Sequence, residues 1–130
     1  FGGVLQEALF DASLFLRDPY TVLCYTVTPR GISTRDVMEW TMDPRSPTGI
    51  VDSRLPVGVL VKEGTASAAE LFSSALRDNG RAVIIGTRTF GKGLIQHLFP
   101  LPDGGVMKLT IGEYLTPKKN HIVRNQGGGE

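Results

Sequence analysis

Pro56-Val57-Gly58-Val59-Leu60-Val61, then Ser67-Ala68-Ala69-Glu70-Leu71-Phe72-Ser73-Ser74-Ala75-Leu76-Arg77-Asp78-Asn79-Gly80, then Ala82-Val83-Ile84-Ile85 follow one another in a single stretch. The outer two runs are short, apolar and rich in β-branched residues, which reads as strands buried on both faces. In the middle run Leu71, Phe72, Ala75 and Leu76 recur on one helical stripe, so a helix is expected over residues 67–79. Gly80 supplies the left-handed residue that ends it. A strand, a helix and a strand at this spacing form a parallel crossover unit, and the fold class expected is α/β.

Upstream, Leu5, Ala8, Leu9, Ala12, Phe15 and Leu16 keep helical spacing over residues 4–16, and Asp18-Pro19 closes that helix because proline restricts the residue before it. Residues 21–27 are β-branched and aromatic and read as a strand. Residues 28–55 mix prolines and polar residues, an irregular excursion with at most a short strand over 37–41. Downstream, residues 94–99 read as a third buried strand. Pro102-Asp103-Gly104-Gly105 then makes a hairpin turn into a strand over 106–111.

The chain has 130 residues, enough for one domain with a real core. It starts at Phe1 and ends in Gly127-Gly128-Gly129-Glu130, and it reads as a piece of a larger protein. Its 14 basic and 13 acidic residues leave a net charge of +1, which provides no electrostatic footprint for nucleic acid. Lys118-Lys119 is a solvated pair rather than a patch. Cys24 is the sole cysteine, so neither an internal disulfide nor a cysteine metal cluster is available; in the run Val22-Leu23-Cys24-Tyr25 it reads as buried filler. No apolar run is long enough to cross a bilayer.

Two residues carry candidate chemistry. Ser67 stands where strand gives way to helix in Glu63-Gly64-Thr65-Ala66-Ser67-Ala68-Ala69-Glu70. One reading is a capping box, Ser67 with Glu70 three residues on. The other is a nucleophile: the Ala68 N–H and the helix dipole stand ready to stabilise an oxyanion, and small neighbours admit a substrate backbone. Lys92 lies in Phe90-Gly91-Lys92-Gly93-Leu94-Ile95-Gln96. It is either a lysine reaching water from a glycine turn or, if desolvated, a general base toward a serine hydroxyl. Ser-Lys pairs are a histidine-free version of that logic.

The stretch Gly86-Thr87-Arg88-Thr89-Phe90-Gly91-Lys92 also fits a phosphate loop. It departs from one at Gly93, where the magnesium-holding Ser or Thr belongs, and in being followed by a strand instead of a helix. Gln96 shares a strand face with Leu94 and Leu98, a polar residue at a buried position that needs a partner. In a straight strand it lies roughly 13 Å from Lys92, so any contact requires the glycine segment to curl. His97 faces the other way, with Ile95 and Phe99, which disfavours a Ser-His triad. His121 carries no motif. Gly2-Gly3, ahead of a helix, is either a simple turn or a second oxyanion donor.

In order and spacing, the Glu63–Glu70 stretch, then Asp78-Asn79-Gly80-Arg81, then Gly86 to Gln96 closely resemble the carboxyl-terminal processing (tail-specific) serine proteases. Pro100-Leu101-Pro102-Asp103-Gly104-Gly105 and Tyr114-Leu115-Thr116-Pro117 fit as well, with a weaker match at Gly2-Gly3-Val4-Leu5. Residues 28–55 and the tail from Lys118 match poorly, and Lys62 stands where asparagine is more usual. The resemblance implies a Clp protease/crotonase-like core with β-β-α units and endopeptidase activity near protein C-termini. It implies Ser67 as nucleophile, Lys92 as general base, Gln96 as the residue orienting the lysine, an oxyanion hole from Ala68 and Gly2 or Gly3, and a supporting role for Glu70. It further implies no metal or cofactor, a protein substrate with an apolar C-terminus, a PDZ domain upstream, and action outside the cytoplasm, in a bacterial periplasm or cell envelope or a thylakoid lumen. The alternatives are a non-catalytic ligand- or peptide-binding module on the same fold, as in retinoid-binding proteins of the eye, and a crotonase-like acyl-CoA enzyme.

Overall fold

A computed structural model describes residues 2–30, 32 and 34–123; Phe1 and the glycine tail at 127–130 lie outside the described residues. The chain runs α1 (Leu5–Ser13), β1 (Val22–Pro29), β2 (Arg35–Thr41), β3 (Gly58–Val61), α2 (Ala68–Asp78), β4 (Val83–Gly86), β5 (Leu94–Pro100) and β6 (Val106–Leu115). Strands β2-β1-β6-β5 form an antiparallel sheet, and β3 and β4 a separate parallel pair. The α/β expectation holds.

The crossover is as expected. β3 and β4 pair in parallel with Gly58 opposite Val83 and Val61 opposite Gly86, and α2 connects them. An isolated helix of this length is marginal in water, so α2 depends on the surface it buries. Leu71, Ala75 and Leu76 pack with Leu9, Ala12 and Leu16 of the α1 segment and with Leu23 and Cys24 of β1 in one core. Each such leucine contributes on the order of 1.5–3 kcal/mol by leaving water. Phe15 meets Phe72 edge-to-face at 6.0 Å where the two helices touch. Gly80 has φ +69, the left-handed residue past the helix end, and the Arg81 N–H returns to the Leu76 carbonyl at 2.8 Å.

α1 is shorter than the apolar periodicity predicts. After Ser13 the N–H groups of Leu14, Phe15 and Leu16 bond three residues back instead of four, so the last turn tightens and its apolar residues still reach the core. β6 is longer than expected, through Leu115, because residues 113–115 are needed to pair with Val27 to Tyr25 of β1.

One expectation fails. The strands of the crossover are not buried on both faces: Leu60 is 80 % exposed, Val83 67 % and Ile85 52 %. In this two-stranded sheet α2 covers one face, and alternation turns these three side chains to the other. β5 is likewise exposed, with Leu98 at 59 %. Only the root of the β5–β6 hairpin, near Glu113, is pinned to β1.

Candidate active site

Ser67 occupies the turn between β3 and α2 with φ +56 and ψ −121, a conformation that costs a non-glycine residue roughly 1–3 kcal/mol. The turn is held from several sides. The Lys62 N–H donates to Thr65 Oγ1 at 3.1 Å and the Thr65 N–H to the Lys62 carbonyl at 2.8 Å. The Phe90 N–H donates to the Thr65 carbonyl at 2.9 Å, and Thr87 Oγ1 bonds Glu63 Oε2 at 3.1 Å. Sequence reasoning passed over Thr65 and Thr87; the signal available was a threonine three residues after Lys62, in position to close a side-chain turn.

The expected capping contact is present and is one part of something larger. Glu70, 5 % exposed, accepts the Ser67 N–H on Oε2 at 2.9 Å. The same oxygen accepts the Lys92 N–H at 2.9 Å, and Oε1 accepts the Gly91 N–H at 2.7 Å. A capping box needs only the first of these bonds. The other two clamp the lysine turn onto the serine turn across more than 20 residues of sequence. One carboxylate oxygen thus brings the backbones of Ser67 and Lys92 together.

The glycine segment does curl. Residues 87–93 carry no regular structure, Gly91 turns with φ +87, and β5 begins only at Leu94. That a strand follows, and not a helix, agrees with setting the phosphate loop aside. Gly93 is buried, and its Cα packs so closely on Ile122 that an added Cβ would lie 2.8 Å from the Ile122 Cβ. The Lys92 side chain is exposed. Gln96 is exposed as well, contrary to the buried position expected from alternation. It pairs with Thr110 of β6, and Leu94 at 41 % and Leu98 at 59 % on the same strand face are exposed too: alternation holds, but nothing among the described residues covers that face.

Gly2 is drawn onto the Ser67 turn. A Cβ placed on it would lie 2.7 Å from the Ser67 Cβ, 2.9 Å from the Ala66 carbonyl oxygen and 3.3 Å from the Ala68 nitrogen. A Cβ on Gly3 would meet nothing within 4 Å. Ala68 is the first residue of α2, so its N–H is among those a helix leaves without an internal partner. Gly2, Gly3 and Ala68 together line one groove of about 430 Å³ between the two helices.

The remaining candidates separate cleanly. Cys24 is fully buried, and burial pushes its thiol up to about 12, so it is no nucleophile at neutral pH. His97 meets Phe99 edge-to-face with ring centroids 4.7 Å apart, the neighbour expected for it. His121, which no motif marked, bonds Glu113 at 2.9 Å through Nδ1.

Comparison with known proteins gives the family. The sequence profile described as peptidase family S41 matches residues 1–128. The chain is 44 % identical over 121 residues to a carboxyl-terminal-processing protease of Picosynechococcus sp., covering 93 % of this chain and 27 % of that protein. It is 40 % identical over 134 residues to carboxyl-terminal-processing peptidase 1, chloroplastic, of Arabidopsis thaliana, covering 99 % of this chain and 24 % of that protein. Among solved structures, a photosystem II D1 C-terminal processing protease superposes with a TM-score of 0.69 at 38 % identity, covering 94 % of this chain and 29 % of that one. The chain therefore spans about a quarter of the length of these relatives. The chain belongs to peptidase family S41.

Proposed function

We propose that this chain is the catalytic segment of a serine endopeptidase that cleaves proteins near their C-termini through a Ser67–Lys92 dyad. The observation that carries the reading is the shared Glu70 oxygen, which holds a strained serine turn and a lysine turn against each other. Lys92 in its neutral form takes the Ser67 proton as Ser67 attacks the scissile carbonyl. The Ala68 N–H and a donor from Gly2 or Gly3 hold the developing oxyanion. The lysine then protonates the leaving amine, and in deacylation it activates water. Gln96 orients Lys92 once substrate covers the site, and Glu70 fixes the two turns.

Relatives named as carboxyl-terminal-processing peptidases support the C-terminal preference. The substrate would be an unstructured protein with an apolar C-terminus, delivered by a PDZ domain upstream in the full protein. Similarity to cyanobacterial and chloroplastic relatives favours action outside the cytoplasm, in a cell envelope or thylakoid lumen. No helix among the described residues is long and apolar enough to cross a membrane.

The test is cleavage of an unstructured protein with an apolar C-terminus by the full-length protein, its Ser67→Ala variant and its Lys92→Ala variant. Loss of cleavage in both folded variants supports the dyad. Cleavage retained in Lys92→Ala rejects the lysine base, and no cleavage by the well-folded parent favours the binding-module reading.

A further inference from the structure

The groove between α1 and α2 has a chemistry of its own. Its walls near the site are Gly2 and Ala68, and its interior is apolar, with Phe15 and Phe72 among the lining residues. Glu7 and Asp11 also line it. They stand four residues apart, on one face of α1, and both are exposed. Among the described residues neither carboxylate enters an ion pair, and no basic side chain lines the groove.

We propose, resting on the peptidase reading above, that this groove receives the side chain of the residue supplying the scissile carbonyl, and that Glu7 and Asp11 make it favour lysine or arginine. A carbonyl oxygen held by the Gly2 and Ala68 amides puts its own Cα one bond beyond the carbonyl carbon. The cavity those two residues open into is then the nearest space for the attached side chain. About 430 Å³ is ample for a long one. The methylenes of a lysine lie on the aromatic and alanine surface while its ammonium reaches the carboxylates, the usual disposition of an amphipathic chain. A substrate glutamate would meet two like charges and, among the described residues, no counter-ion, which disfavours it.

The experiment uses the full-length protein and peptides identical except at the carbonyl-donating residue, which is lysine, norleucine or glutamate. Lysine against norleucine isolates the charge. Two partly exposed ion pairs predict a kcat/KM ratio of about five to ten for lysine over norleucine, with glutamate lower still. The ratio should collapse in Glu7→Gln/Asp11→Asn and shrink in about 0.5 M salt, where screening is strong. Binding of the same peptides to the Ser67→Ala protein, followed by fluorescence anisotropy, gives the preference without chemistry. Cleavage with no charge preference, or a preference that follows the residue after the scissile bond, overturns this inference and leaves the peptidase reading intact. No cleavage of any peptide and no charge-dependent binding overturns both.

Discussion

The Glu70 carboxylate accepts the backbone N–H of Lys92 at 2.9 Å on the same oxygen that accepts the Ser67 N–H. Neither bond involves the Ser67 hydroxyl or the Lys92 ammonium. Glu70 therefore fixes where two turns sit, and in the proposed reaction that makes it a positioning residue.

Glu70→Gln keeps the shape but replaces one acceptor oxygen with an NH₂ that faces backbone N–H groups. The expected cost is about 2–4 kcal/mol, because buried donors lose a charged acceptor. Urea denaturation measures that loss. Peptide cleavage by the fraction that remains folded should fall mainly in kcat, since the dyad geometry loosens. A variant as stable and as active as the parent would remove Glu70 from the site.

Gly2→Ala and Gly3→Ala should differ sharply. A Cβ on Gly2 runs into Ser67 and the Ala66 carbonyl, whereas one on Gly3 meets open space. Gly2→Ala is expected to lower kcat by about a hundredfold, the usual effect of spoiling one oxyanion donor, and to lower the melting temperature because the added methyl forces the Ser67 turn to shift, whereas Gly3→Ala should change neither much. A parallel activity assay of the two variants decides whether the contact at Gly2 matters to the reaction.

Arg81 ties three segments at once: its guanidinium donates to the carbonyls of Phe15, Leu55 and Asp52 at 3.0, 3.0 and 3.1 Å. Arg81→Ala should destabilise the protein by about 2–3 kcal/mol, and Arg81→Lys should recover little, since a point charge cannot reproduce the planar fork. Thermal unfolding of the three proteins tests both statements.

Asp78 makes the acid limb of stability steep. Burial opposes its ionisation, but bonds from the Thr116 hydroxyl, the Arg77 guanidinium and the Lys118 N–H outweigh burial and hold its carboxyl below the ordinary 3.8. A lowered folded pKa means that the contribution is complete above the unfolded value and lost as pH falls through the folded one. Urea midpoints at pH 3 and pH 7 should therefore differ more for the parent than for Asp78→Asn.

Cys24 should be silent toward a thiol reagent at pH 8 in the folded protein and react fully in denaturant, because burial keeps it protonated and out of reach. Reaction in the native state at the rate of a free thiol would contradict the core described here.

What the sequence by itself determined was local. Helical spacing in residues 67–79, the β-branched runs on either side, Gly80 as a stop and Gly91 as a turn all act over a few residues, and each appears in the structure. The pairing of Ser67 with Lys92 as candidates was also legible, through order and spacing within one stretch. Only the tertiary structure decided which surfaces are covered. Leu60 and Ile85 look like core from their composition, yet burial depends on what lies across the sheet, and α2 covers one side alone. Gln96 shares its strand face with Leu94 and Leu98, as alternation dictates, but no element among the described residues covers that face, so all three are exposed. The clamp made by Glu70 was invisible for the same reason: a capping glutamate and one that also seizes a distant turn have the same local sequence, and the difference is a contact across more than 20 residues.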